Sequence, residues 1–244
     1  MRWQGEGLLL DVRKYGESSA LIDVFTASLG RRIGLLRGAF NKKNKSLIQP
    51  GNQLLLTWNS RIEESLGVFK IELIKSRYHR ISEERSGLEL FNLICVLCST
   101  FLPERVDFDE LYQKTIQYIE GEFSSRGKFR KYIEWEIQLL KSLGFGLDIG
   151  KCVVSGSKKE LKFVSPRSGC AVSRNSSIGW EKKLLVLPEF LCTSNSVESP
   201  SKADLENGFK LTEYFIKKNL QPVRNFQMDP FFSLRNRVLS LKPL

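Results

Sequence analysis

The sequence predicts an α+β protein in which a small N-terminal five-stranded barrel is followed by a mostly α-helical domain. Three observations carry this. Five short β-type runs succeed one another in the first 80 residues, with no convincing helix among them. From about Ser82 onward the apolar residues recur at helical spacing instead. The 244 residues are 41% hydrophobic and 27% charged, which suits a globular chain with a real core and excludes a disordered or fibrous one.

The β-type runs are Leu8–Arg13, Ala20–Thr26, Arg31–Arg37, Gln53–Asn59 and Val68–Lys75. Tyr15-Gly16-Glu17-Ser18-Ser19 closes the first and Ser28-Leu29-Gly30 the second, both rich in turn-forming residues. A long loop, Gly38–Gly51, ends in Pro50-Gly51 before the fourth run. Five strands in so short a span fit an OB-fold, a partly open barrel that often binds oligonucleotides. The expected domains are therefore 1–80, the barrel, and 81–244, the helical part.

In the helical part, Leu88–Leu102 repeats apolar residues at Leu90, Phe91, Ile94, Leu97, Cys98 and Phe101. A second helix is expected over Asp109–Phe123 and a third from about Lys128 to Leu143, through Tyr132, Trp135 and Leu139. Gly144 and Gly146 supply the left-handed positions that stop the third. Asp204–Leu220 reads as a fourth helix and Phe231–Leu241 as a fifth. Between the third and fourth lies a stretch expected to be irregular, 148–177, and Ser194–Ser201 is a polar connector. The irregular stretch holds Cys152-Val153-Val154-Ser155 and Cys170-Ala171-Val172-Ser173, each a Cys-x-x-Cys pair with serine in the second position. Two cysteines without a nearby histidine cannot close a tetrahedral zinc site, so no metal is expected. The true Cys-x-x-Cys, Cys95 and Cys98, falls inside an apolar helix and reads as core packing.

Charge is the least ordinary property. Lys and Arg number 38 against 27 Asp and Glu, a net +11, which draws a protein to nucleic acid or to an anionic membrane surface. The excess sits at the ends: residues 1–80 carry 14 basic and 7 acidic residues, 210–244 carry 7 and 2, and 81–209 carry 17 and 18. Basic ends that merely solubilise the chain are the plain alternative. Against it, Arg31, Arg32, Arg37, Lys42, Lys43 and Lys45 fall within fifteen positions that contain no carboxylate. Arg31 and Arg37 are six apart and would share a strand face. With Arg13 and Lys14 flanking them, these cations are the candidate phosphate contacts. Trp58, Phe40 and Tyr15 are candidate stacking surfaces, unless Trp58 and Phe40 fill the barrel core.

Other classes fare worse. The longest apolar run, Leu90–Leu102, is too short to span a bilayer, and the N-terminus lacks the apolar stretch of a secretory signal. Five scattered cysteines suggest a reducing cytoplasm rather than a disulfide framework. A single histidine, His79, argues against most acid–base chemistry, so no catalytic residues and no cofactor are expected. The best carboxylate cluster, Asp107, Asp109 and Glu110, sits at a helix start, where acids complement the helix dipole. The tail Arg224–Lys242 is a weak candidate for a membrane-surface helix.

A family resemblance adds to this reading. Gly7-Leu8-Leu9-Leu10, Arg13-Lys14-Tyr15-Gly16-Glu17-Ser18-Ser19, Phe25-Thr26, Gly30-Arg31 and Arg37-Gly38-Ala39 resemble the opening of the RecO family. The likeness continues through Leu47-Ile48-Gln49-Pro50-Gly51, Leu66-Gly67-Val68-Phe69, Glu134 to Gly146, Cys152 and Val164-Ser165-Pro166-Arg167-Ser168-Gly169. It implies an OB-fold joined to a helical domain and a recombination mediator in bacterial DNA repair, cytoplasmic and nucleoid-associated, without enzymatic activity. Such a protein binds single- and double-stranded DNA, anneals complementary strands, and works with RecR to load RecA onto strands coated by single-strand-binding protein. Some members carry a four-cysteine zinc ribbon around the positions of Cys152–Ser173; here half the ligands are missing, so the insertion would be a degenerate, metal-free counterpart. The resemblance also implies that an acidic, apolar tail of single-strand-binding protein docks on the helical domain, at Arg130 and Lys131 beside Trp135 and Leu139. An OB-fold RNA-binding protein unrelated to recombination is the competing reading.

Overall fold

The computed structural model describes residues 1–62, 65–121, 125–192, 200–220 and 228–240. Most of the connector Ser194–Ser201 and the ends of the tail Arg224–Lys242 lie outside them. In chain order the elements are β1 (Arg2–Tyr15), β2 (Ser19–Thr26), β3 (Gly30–Leu36), α1 (Lys42–Lys45), β4 (Gln53–Asn59), β5 (Val68–Lys75), α2 (Tyr78–Ser82), α3 (Arg85–Phe101), α4 (Asp109–Glu120) and α5 (Ser125–Ser142). Then follow β6 (Asp148–Cys152), β7 (Leu161–Val164), β8 (Cys170–Ser173), β9 (Leu185–Val186), α6 (Lys202–Leu220) and α7 (Met228–Ser240). The chain divides into two compact units, Met1–Ile119 with Phe231–Val238, and Glu120–Pro230 with Leu239–Leu244. Helices α2 and α3, nearly all of α4 and most of α7 thus cluster with the strands.

In the first unit the strand order β1-β2-β3-β5-β4 returns to β1. Four of the pairings are long and antiparallel; the β3–β5 seam is parallel and only two residue pairs long, Leu35 with Val68 and Leu36 with Phe69. Such a five-stranded sheet is consistent with an OB-fold, and the short seam is where it is least closed. β1 can serve two neighbours because it is 14 residues long: Arg2–Leu8 pair with β4 and Gly7–Tyr15 with β2. An irregularity between Leu9 and Asp11 lets the strand bend from one to the other. Alternation then points Leu9, Ile22, Val24, Leu54, Leu56 and Phe69 into one buried cluster.

Gly67, in the left-handed region at φ +60°, makes the turn into β5 while passing against the Trp58 indole. A methyl there would lie 2.1 Å from Trp58 Nε1. Gly67→Ala is therefore expected to destabilise the fold by about 2 kcal/mol or more, from backbone strain and overpacking together. A urea melt checks this.

In the second unit α5 and α6 pack on each other through Tyr132, Phe209 and Phe129, and Thr212 Oγ1 donates to the buried Glu136 at 2.6 Å. The 148–177 stretch is not irregular. It contributes β6, β7 and β8 to a four-stranded sheet of order β6-β8-β7-β9. Its strands are two to five residues long, too short for alternation to register in the sequence.

Candidate nucleic-acid interface

The cationic loop after β3 is ordered, and its own sequence orders it. Gly38, at φ +61°, turns the chain, and Asn41 caps α1 by accepting a bond from Asn44 N at 2.7 Å. Asn44 Nδ2 donates back to Gly38 O at 3.0 Å. Ala39 and Ile48 are buried in the barrel cluster and pin the two ends of the loop. The apolar anchors thus face inward, while Arg37, Lys42, Lys43 and Lys45 are exposed.

Sheet register brings the flanking cations to the same end. Lys14 pairs with Ala20 and Ala20 with Leu36, so Lys14 lies two strands, roughly 10 Å, from the residue before Arg37. Arg13 is exposed, 3.4 Å from Asp11, a surface ion pair of little energetic weight. Two aromatic side chains open to solvent belong to this region, Tyr15 at 55% and Phe40 at 41% exposure.

Three of the expected contacts lie elsewhere. Arg31 is 6% exposed, and its Nε and Nη2 donate to both oxygens of buried Asp23 at 2.7–3.0 Å. Its Nη1 reaches Leu102 O at 3.3 Å, and Arg105 N donates to Arg31 O at 3.0 Å. The segment after α3 covers this part of β3, so Arg31 does not share an open face with Arg37; it is a structural ion pair. Arg32 is packed over Trp3 and Trp58, 5.7 and 6.0 Å from their centroids. Trp58 is buried, stacks on Trp3 at 6.2 Å and donates its Nε1–H to Leu66 O. It fills the barrel and offers no face to a base, a role Tyr15 and Phe40 are placed to take.

In the second unit Arg130 and Lys131 both pair with Glu134, at 2.7 and 2.8 Å, and the Arg130 guanidinium lies 5.8 Å from the Phe190 ring centroid. Trp135 and Leu139 are buried on the other side of α5. They belong to the core, and side chains buried to that degree cannot line an open slot beside that pair. Asp107, Asp109 and Glu110 are exposed at the start of α4, the ordinary place for helix-capping charge. Of α7, Phe231, Arg235 and Val238 are fully or almost fully buried and Arg237 reaches Glu89 at 3.3 Å, so its apolar side is not free for a membrane. Among the described residues no helix is long and apolar enough to cross one.

Cys152 and Cys170 approach each other across β6 and β8, where Cys152 pairs with Ala171. The donor set there does not fit a zinc ion. Serines 155 and 173 stand where thiolates would be needed, and Cys152 Sγ instead accepts the N–H groups of Ser155 and Ser173 at 3.5 and 3.3 Å. Burial pushes the Cys152 thiol up, but the Ser155 and Ser173 hydrogen bonds outweigh it and hold the thiol down at about 5. A depressed thiol stabilises the fold above its unfolded value near 9 and loses that contribution as pH falls through about 5. Ultraviolet thiolate absorbance of the native protein, minus that of Cys152→Ser, is expected to disappear on acidification through that value. Cys95 and Cys98 are buried in α3, where burial pushes both thiols up.

The segment average near neutrality in the middle of the chain concealed a local excess. Residues 148–186 alone carry 8 Lys and Arg against 3 Asp and Glu, and Trp180 stands exposed among them. A narrower charge window over the sequence would have found it.

Fold and surface together define a basic α+β protein whose N-terminal barrel presents cations and aromatic rings at one end. Comparison with known proteins narrows this. The profile described as Recombination protein O N terminal matches residues 1–77, and Recombination protein O C terminal matches 89–225. A protein of Cereibacter sphaeroides (strain ATCC 17029) named DNA repair protein RecO is 39% identical over 242 residues, covering 99% of this chain and 98% of the relative. Proteins of the same name from Jannaschia sp. and Beijerinckia indica are each 36% identical, over 91% and 90% of this chain and 89% and 88% of theirs. The chain belongs to the RecO family.

Proposed function

We propose that this protein acts in DNA repair and recombination as a DNA-binding mediator. It anneals complementary single strands and, with RecR, helps load RecA onto strands coated by single-strand-binding protein, working at the nucleoid and without making or breaking a covalent bond. The observation that supports this best is the loop 37–45: four exposed cations held on an ordered scaffold beside two exposed aromatic rings. Annealing needs two polyanions held together against their repulsion. Fixed cations do this by displacing condensed counterions, while rings give each base a sequence-independent resting place. Double-stranded DNA would meet the same cations through its phosphates alone.

Strand annealing in the presence and absence of a single-strand-binding protein coat tests the reading. Faster pairing of complementary DNA, retained on coated strands, supports it; a preference for RNA with no annealing favours an RNA-binding barrel protein instead. For the coat protein, its acidic tail would meet Arg130 and Lys131 in the first half of α5, with Phe190 beneath Arg130. Arg130→Ala is expected to weaken binding of a tail peptide by about tenfold, the loss of one charge-assisted contact. Equal affinity of the two proteins in a fluorescence titration removes this docking site.

A further inference from the structure

We propose that the end of the small sheet around Trp180 is a second contact for single-stranded nucleic acid, separate from the barrel. The inference rests on the DNA-binding reading above and extends it. Trp180 is 59% exposed, whereas Trp58 and Trp135 are each 3% exposed and Trp3 is partly buried against Trp58. The exposed ring is not on a loose loop. Ser177 Oγ donates to Arg174 O at 2.7 Å, Trp180 N donates to Ser177 O at 2.8 Å, and Lys183 N donates to Trp180 O at 2.8 Å. Gly179, at φ +80°, sets the turn immediately before the ring.

One cation lies against the indole and others stand on the adjoining turns. Lys183 Nζ lies 4.9 Å from its centroid. Arg174 N donates to Glu160 O at 2.9 Å, which ties this turn to the one carrying Lys158 and Lys159. Lys158, Lys159, Arg174, Lys182 and Lys183 are all exposed, against the exposed carboxylates Glu160 and Glu181. An ordered aromatic face with one lysine against it and exposed cations on the adjoining turns combines base stacking with phosphate neutralisation, the pairing that single-strand sites use. A protein that brings two strands together needs two such places, and the barrel supplies one.

The test uses the full chain and a labelled oligo(dT) probe. Binding is followed by anisotropy and by indole fluorescence, which Trp180 dominates in its solvent-exposed response. The wild type is expected to show quenching that tracks the anisotropy change. Trp180→Phe should abolish the quench and keep annealing near the wild-type rate. Trp180→Ala should slow annealing by about tenfold, the weight of one stacked base, while single-oligonucleotide binding through the barrel persists. Wild-type annealing by Trp180→Ala, or binding by anisotropy with no quench, overturns the second contact and leaves the barrel reading standing. Absence of any oligonucleotide binding overturns both. Trp180-dependent sedimentation with phosphatidylglycerol vesicles, with no quench by oligo(dT), would reassign the ring to a lipid surface and also overturn the proposal.

Discussion

Arg31→Ala is expected to lower the stability of the fold by about 3–5 kcal/mol while leaving the affinity of the folded protein for DNA unchanged. The guanidinium holds both oxygens of Asp23, and the side chains of the pair are 7% and 2% exposed. Removing it strands a carboxylate in the barrel wall. Burial is the main influence on Asp23 and raises its carboxyl above the ordinary 3.8, with Arg31 opposing the rise. The pair joins β2 to β3 through the barrel wall. A carboxyl raised in the fold favours the folded state below its unfolded value and costs it stability as pH rises through the folded one. Without Arg31 the rise is larger, so the deficit of Arg31→Ala is greatest near neutrality and shrinks in acid. Replacing both partners, as Asp23→Leu with Arg31→Met, should cost much less than either change alone, and urea melts of the four proteins measure this as a coupling. Equal losses that simply add would contradict the pairing.

The second large effect is expected from the loop. Reversing Arg37, Lys42 and Lys43 to glutamate should weaken binding to all DNA sequences alike, by about a hundredfold or more at moderate salt. The dependence of log affinity on log salt should flatten by about three contacts, at roughly 0.7 per phosphate on single strands. Stability should hardly change, because all three side chains point to solvent and the loop is pinned by Ala39, Ile48 and the Asn41 cap instead. Affinity that survives at low salt would move the interface away from this loop. The contrast with Arg31 is sharp: two arginines six positions apart, one structural and one available to a ligand.

That contrast also marks what the sequence could and could not convey. The five strands were legible because each is seven residues or longer, bounded by turn residues, and alternates clearly enough for its buried set to be read. Five of the helices were legible from apolar spacing to within a few residues. The small sheet was not, since strands such as Leu185–Val186 have no room for a period. The charge cluster itself was visible, but which cations face solvent was not. Counting along β3 placed Arg31 beside Arg37, whereas the fold lays the segment Leu102–Val106 over the first half of that strand. Trp58 was equally ambiguous. An aromatic residue in a strand can face either side, and only the Trp3 stack and the close passage of Gly67 put it inside. On α5 the same helical spacing that suggested a slot at Trp135 and Leu139 described a buried stripe.

The most direct test of the account is the affinity of the wild-type chain for a labelled single-stranded oligonucleotide, followed from dilute buffer upward in salt. Tight binding that falls linearly on logarithmic axes, with a slope near −3 or steeper, is what four exposed cations on the loop demand. Failure to bind at the lowest salt, or an affinity indifferent to salt, would contradict it.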